Sequence, residues 1–383
     1  MWSSGAVCPR CRESYHDGEI AQAAPSLHTD VAELHHSVLD LAPVIADDPA
    51  TDGSGSDTAP IGTALHNSVR LAQEVEKLGY HRFWLAEHHS MPGIASAAPA
   101  IVIGQVAAAT STLRVGSGGV MLPNHAPLVV AEQFGTLDAL FPGRIDLGLG
   151  RAPGTDQVTM HALRRPEPGQ SLGGDDFPAE LASLRAFLTG GYPDDHPYSA
   201  ITATPGLGAD PEIWLLGSST YSAQLAAMLG LPFAFARHFA PQQTMPAMQA
   251  YRDHFRPGVL EEPHAMITVT VIAADDDAEA QYLAGSQRLA MARLRTGAPG
   301  RYPTAEEAAR HPLTPLQESS IAPSASAWIV GGPERVADQL GGVLSATGAN
   351  EIMINSTVAD FDARVRSHRI VAEVLRDLAP AAV

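Results

Sequence analysis

Lysine is almost missing from this chain. Lys77 is the only one among 383 residues, so arginine carries nearly all of the positive charge. Charged residues of both signs reach only 17%, while Gly (34) and Pro (30) are plentiful. Scarce charge with many turn formers favours a compact fold over a long solvated region. The formal net charge of −18 leaves no cationic field to neutralise phosphates, which excludes a nucleic-acid partner and disfavours an anionic membrane surface. No apolar run approaches membrane-spanning length, and Met1 to Leu34 lacks the apolar segment of a secretory leader. Cysteine is confined to Cys8 and Cys11. No disulfide framework can be built, and a reducing cytoplasm is the expected compartment.

The two cysteines belong to a polar, unpatterned stretch. Cys8-Pro-Arg-Cys11 with His16 and His28 has a loose likeness to a zinc ligand set, but the second half-site has the wrong spacing. Residues 1–35 are therefore expected to be a disordered extension without metal, and residues 36–383 a single domain. With 45% hydrophobic residues, that domain can bury a large core.

From Ser37 onward the pattern is strand, turn, helix, repeated. Short apolar strands are expected at Ser37–Leu41, Arg82–Ala86, Leu113–Met121, Arg144–Leu149, Ile213–Leu216, Phe233–Ala236, Met266–Ala273 and Glu351–Asn355. Helical spacing stands between them. Leu65, Val69, Ala72, Val75 and Leu78 recur at three and four residues, and Gly79 stops them. Two stretches break the rhythm. Arg151 to Pro211 is rich in Pro, Gly and Asp, with one helix at Ala179–Leu188, and Thr296 to Pro323 carries no periodicity. Even alternation without a second core predicts an α/β fold, a (β/α)8 TIM barrel with insertions after strands four and seven. An open doubly wound sheet is the alternative. In a barrel the chemistry sits just past the strands, so those residues are read first.

Past strand two stands Glu87-His88-His89. A metal would need further ligands at nearby strand ends. Asp40 and Asp146 lie within strands, so no metal is expected, and one histidine is read as a proton-transfer group. Past strand three, Gly116, Gly118 and Gly119 interrupt a strand. Such glycines fit a flat ring lying against the backbone, or a bulge or tight corner. Past strand four, Gly148-Leu149-Gly150-Arg151 is a weak dinucleotide fingerprint, because Pro153 prevents an immediate helix. Arg151, with its planar fork, suits a phosphate better. Past strand five, Gly217-Ser218-Ser219-Thr220-Tyr221-Ser222 opens a helix. Free N–H groups and hydroxyls there make an anion site, or one serine is an ordinary cap. Leu41, Ala42, Glu87, Asn124 and His125 are expected to line a substrate pocket.

Together these segments resemble the bacterial-luciferase-like monooxygenase family. The likeness rests on Ser37 to Val44, Trp84 to His89, Ala131 to Asp138, Pro142 to Arg151, Trp214 to Ser219 and Gly331 to Glu334. It is nearest to the single-component relatives of the luciferase subunits. The resemblance implies reduced FMN at the strand ends, with Gly118 and Gly119 at a non-proline cis peptide beneath the isoalloxazine. It implies Arg151 and Ser218 on the flavin phosphate, with Gly217, Ser219, Tyr221 and Ser222 beside it, and His88 as the acid or base at the reactive edge. The implied reaction is monooxygenation of a small organic molecule through a flavin hydroperoxide formed with O2. Gly150 stands where the luciferase subunit has a reactive cysteine, so thiol chemistry, aldehyde specificity and light emission do not carry over. A homodimer through helices two and three is implied, with an Ala-rich face between Ala97 and Ala109. A separate reductase must supply FMNH2, since no nicotinamide domain is evident. Rival readings are a deazaflavin-dependent hydride-transfer enzyme, a non-catalytic flavin-binding protein and a metal-dependent hydrolase.

Overall fold

The computed structural model describes residues 34–46, 59–152, 154–164 and 176–378. The Cys8–Cys11 pair, most of the expected extension and most of the Asp47–Pro60 loop lie outside them, while His35, expected in the extension, opens the first strand. Among the described residues the chain forms a nine-stranded parallel sheet. Its strands are β1 (His35–Asp40), β2 (Arg82–Leu85), β3 (Arg114–Met121), β4 (Ile145–Gly150), β5 (Glu212–Gly217), β6 (Phe233–Phe235), β7 (Ala265–Ala273), β8 (Ile329–Gly331) and β9 (Glu351–Asn355). Strands β1 to β7 pair in sequence except that β7 meets β9, and β9 meets β1, which closes an eight-stranded barrel. The expected eighth strand is therefore β9. Strand β8 is additional and pairs only with the end of β7, at Val271–Ala273.

Helices α1 (Ala59–Lys77), α2 (Pro99–Ala109), α3 (Pro127–Leu140), α5 (Phe177–Thr189), α6 (Thr220–Met228), α7 (Thr244–Asp253), α11 (Pro333–Thr347) and α12 (Phe361–Leu378) surround the barrel. Helix α1 shows why. It buries Ala64, Ser68, Leu71, Ala72 and Val75, while Leu65, Val69 and Leu78 of the expected stripe lie half-buried beside that face. It ends at Gly79, whose φ of 84° suits only a residue without a side chain. Lys77 stands in the last turn, 66% exposed and 2.8 Å from Glu74. Among the described residues no helix is long and apolar enough to cross a membrane.

The barrel interior is filled in layers. At the strand starts, Arg82 reaches Asp146 (2.9 Å), Glu212 (3.2 Å) and Glu351 (3.2 Å), and Arg114 joins Asp146. Breaking one partner of such a buried cluster would strand its opposite charge, at a cost of about 3–5 kcal/mol. Above it lie Leu39, Trp84, Trp214, Met266 and Met353, with the two indoles edge to face at 5.4 Å. Trp84 ties the layers together, donating from Nε1 to Asp146 at 2.8 Å. The third layer, at the strand C-terminal ends, is open.

The insertions carry more structure than the sequence suggests. Helix α4 (Gln157–Arg164) lies in the first. The second follows α8 (Asp277–Arg295), which the sequence spacing places, and holds α9 (Ala305–Arg310) and α10 (Pro315–Ala325). Part of the second insertion is tied to the barrel rim. Tyr302 N donates to Val44 O at 2.7 Å, and Ala46 N to Tyr302 O at 2.8 Å. The Tyr302 hydroxyl lies 2.7 Å from both Gln287 Oε1 and Thr357 O.

Candidate functional site

A cavity of about 340 Å³ occupies the open third layer. Its floor is the C-terminal ends of the barrel strands. Its roof is α8 with Pro299, Gly300 and Tyr302, and one wall is the turn from Met91 to Ile94. Of the described residues that line it, Arg151 alone carries a fixed charge.

The segment after β2 sends its two histidines to different places. His88 lines the cavity. Its Nδ1 is enclosed without a partner, which leaves Nε2 as the nitrogen open to the cavity. Burial holds its pKa below the ordinary value, only partly countered by the charge of Glu87, so the ring is neutral at pH 7. His89 turns away and meets Glu87 Oε1 at 2.8 Å. The same oxygen meets His125 Nε2 at 2.8 Å, and the other accepts Met121 N at 3.1 Å. Burial alone would raise the Glu87 pKa, but the donors from His125 and His89 hold it below the usual value. An ionised carboxylate only accepts, so both imidazoles present N–H to it. Glu87, His89 and His125 also have the atom types and spacing of a cation site. Here those atoms are joined to one another by hydrogen bonds. The result fixes the backbone from which His88 projects.

At the end of β3, the Gly118–Gly119 peptide is cis. The register against β4 slips there, between Ser117 and Val120, so the break in the strand is a bulge. Both glycines line the cavity. A side chain at Gly119 would come within 2.7 Å of Gly148 O, and one at Gly118 within 2.6 Å of Leu39. Glycine is thus required by neighbouring protein, and the same flatness leaves a bare backbone surface facing the cavity.

Arg151, past β4, lines the cavity and stacks over the Tyr221 ring at 4.3 Å. No carboxylate pairs with it among the described residues. Beside it α6 begins. Ser219 stands at the cap position in extended conformation, but its side chain makes no capping bond. The first N–H groups of that helix are therefore not used up by a cap. Ser218, Ser219 and Ser222 line the same end of the cavity with Gly217. A guanidinium, free hydroxyls and an uncapped helix N-terminus form an anion cradle.

The structure thus brings His88, Gly118, Gly119, Arg151, Gly217, Ser218, Ser219, Ser222 and Leu41 to one cavity. Ala42, Glu87, Asn124 and His125, expected in the substrate pocket, stand outside its lining, as does Tyr221. Glu87 is fully buried behind the strand ends. Ala42 sits in a turn with φ of 48°, its N–H on Asp40 Oδ1 at 3.2 Å. The sequence reading missed His238, which lines the cavity three residues past β6. The strand-end rule would have found it. Burial lowers its pKa to about 4, with the Thr268 backbone pulling the other way and His88 adding to the fall. Thr268, Thr270 and Asn355 were missed too, because they lie inside strands β7 and β9.

The family model for luciferase-like monooxygenases matches residues 47–351. A luciferase-like monooxygenase of Escherichia coli strain K12 is 46% identical over 343 residues, covering 89% of this chain and 97% of that one. Among solved structures, apo-MsnO8 has a TM-score of 0.78 and 40% identity, over 91% of this chain and 100% of that one. The oxygenating constituent of 3,6-diketocamphane monooxygenase from Pseudomonas putida, in complex with FMN, has a TM-score of 0.66. At 17% identity over 91% of this chain and 99% of that one, it shares the fold.

Proposed function

The chain belongs to the luciferase-like monooxygenase family, and on that footing we propose that it is a flavin-dependent monooxygenase taking reduced FMN and O2 to oxygenate a small organic substrate. The observation that carries the reading is the anion cradle of Arg151 and the α6 N-terminus, which opens into the same cavity as the bare Gly118–Gly119 backbone. One feature would take a phosphate and the other a flat ring. When bound, reduced flavin supplies the electrons that activate oxygen.

The protein's own residues do the rest. Arg151, Ser218 and the α6 N–H groups grip the phosphate. The Gly118–Gly119 bulge orients the ring. The roof of α8 and residues 299–302 excludes water. His88, neutral and open at Nε2, takes a proton as the substrate reacts. A homodimer through α2 and α3 belongs to the same proposal. Those helices expose Ile101 (71%), Val129 (44%) and Leu140 (64%), apolar side chains that such an interface would cover. A separate reductase would deliver the reduced flavin.

The test is a titration of the purified chain with FMN and, in parallel, with a deazaflavin. FMN is expected to bind, and Arg151→Ala to weaken it by about tenfold or more, for a charge-assisted hydrogen bond of about 1.5–3 kcal/mol. Unchanged affinity in that variant, or binding of the deazaflavin alone, would overturn the assignment.

A further inference from the structure

The reading above fills the β3, β4 and β5 side of the cavity and leaves the β7 and β9 side unassigned. Strand β7 is apolar on its outer face, where Ile267, Val269 and Val271 are fully buried. Its inner face runs Met266, Thr268, Thr270, and the last two line the cavity. Thr270 stands in register with Asn355 of β9, a neighbour that also lines the cavity. Both are almost completely enclosed, at 2% and 5% exposure. The Asn355 amide is oriented by its Nδ2, which donates to Leu39 O at 3.2 Å. Its Oδ1 is thereby left as an acceptor, and among the described residues neither that oxygen nor the Thr270 hydroxyl is taken up by another protein group. Neither atom is sealed in the protein, so both are open to the cavity.

Opposite them the roof is largely bulk, and its polar members Gln287 and Tyr302 are bonded to each other at 2.7 Å. Ala290, Met291 and Leu294 of α8 face the cavity. The one fixed charge, Arg151, lies at the far end with the phosphate cradle. An ionised group on a second ligand would find no counter-charge on this side, and burying it unpaired is strongly unfavourable. A hydroxyl, in contrast, matches what is free: it donates to Asn355 Oδ1 and accepts from Thr270.

We propose that the β7–β9 side of the cavity is the substrate subsite and selects a neutral, largely apolar molecule bearing a hydroxyl, held between Thr270 and Asn355. The inference rests on the flavin-oxygenase reading, since that reading assigns the opposite side to the cofactor. It is tested by calorimetric titration of the purified chain with four probes: 4-propylphenol, propylbenzene, 4-propylanisole and 4-propylbenzoate. The phenol is expected to bind at least about tenfold tighter than the other three, which lack the hydroxyl, lack its donor, or add a charge. Thr270→Val keeps the shape and is expected to cut the margin over propylbenzene severalfold while leaving FMN affinity unchanged. The proposal is overturned if the benzoate binds as well as the phenol, if phenol and propylbenzene bind alike, or if no probe binds at millimolar concentration. It is also overturned if Thr270→Val weakens all four probes equally. FMN is titrated separately, so phenol selection without FMN binding would sink the cofactor reading alone, and FMN binding without phenol selection would sink this one alone.

Discussion

His88 and His89 are neighbours in the chain and serve opposite sides of the strand end, one open to the cavity and the other bound to Glu87. Their substitutions should therefore differ in kind. His88→Ala should leave FMN affinity largely intact but lower oxygenation by roughly 10²–10⁴, the range for removing a general acid or base. Reduced FMN and O2 should then yield more hydrogen peroxide per flavin consumed. His89→Ala should change that ratio little and act on stability. If the two variants exchange these phenotypes, the roles are reversed, and if neither alters peroxide yield, the pair is structural. The residue scale is also where the sequence was most and least informative. His88, Arg151 and the Ser218–Ser222 run were legible because each stands just past a strand. Thr270 and Asn355 were not, since in-strand polar residues look the same whether they face a cavity or a neighbour. Glu87 misled for the opposite reason. A carboxylate at a strand end reads as chemistry, yet here it is an internal hub for hydrogen bonds.

The long elements were legible because their periods run over many residues. Helix α1 and strand β7 came close to their observed limits from spacing alone. Helices α9 and α10 and strand β8 did not, being short and set among Pro and Gly. A local signal was nevertheless present. Thr304 accepts from Glu307 N, and Thr314 from Gln317 N while Gln317 answers to the Thr314 backbone, so both helices begin with the Thr-x-x-Glu/Gln cap pattern. These elements frame the roof, and a single side chain pins its edge. Tyr302 holds Gln287 of α8 and the chain after β9 through one hydroxyl. Tyr302→Phe removes both bonds, worth about 0.5–1.5 kcal/mol each. The expected outcome is faster amide hydrogen exchange at residues 299–302 and increased peroxide release, with FMN affinity little changed. Unaltered exchange there would show that the roof is held by other contacts.

The whole molecule buries histidines that its core cannot keep charged. Burial lowers His238 to about 4 and His368 to about 3, each below the ordinary 6.5 of an exposed histidine. A depressed histidine is neutral when folded and takes up a proton when unfolded, so acid favours unfolding. Full stability should hold above about pH 6.5 and decline as the pH falls toward 4, by on the order of a few kcal/mol in sum. Glu351 and Asp40, held low by Arg82 and Arg364 despite burial, act in the same direction but only below the ordinary carboxylate range. Urea midpoints at pH 7.5 and 5 check this, and equal midpoints would contradict it. The proposed dimer is checked by sedimentation, where Ile101→Glu should give a monomer at micromolar concentration if α2 is the covered face. One exposed group remains. Lys77 closes α1 five residues before β2 begins, so it lies on the side where the strands start, away from the cavity mouth. Apart from the amino terminus, amine-directed reagents have this single address. Coupled through it to a bead or a dye, the molecule would present its mouth outward, uniformly oriented, with the site chemically untouched.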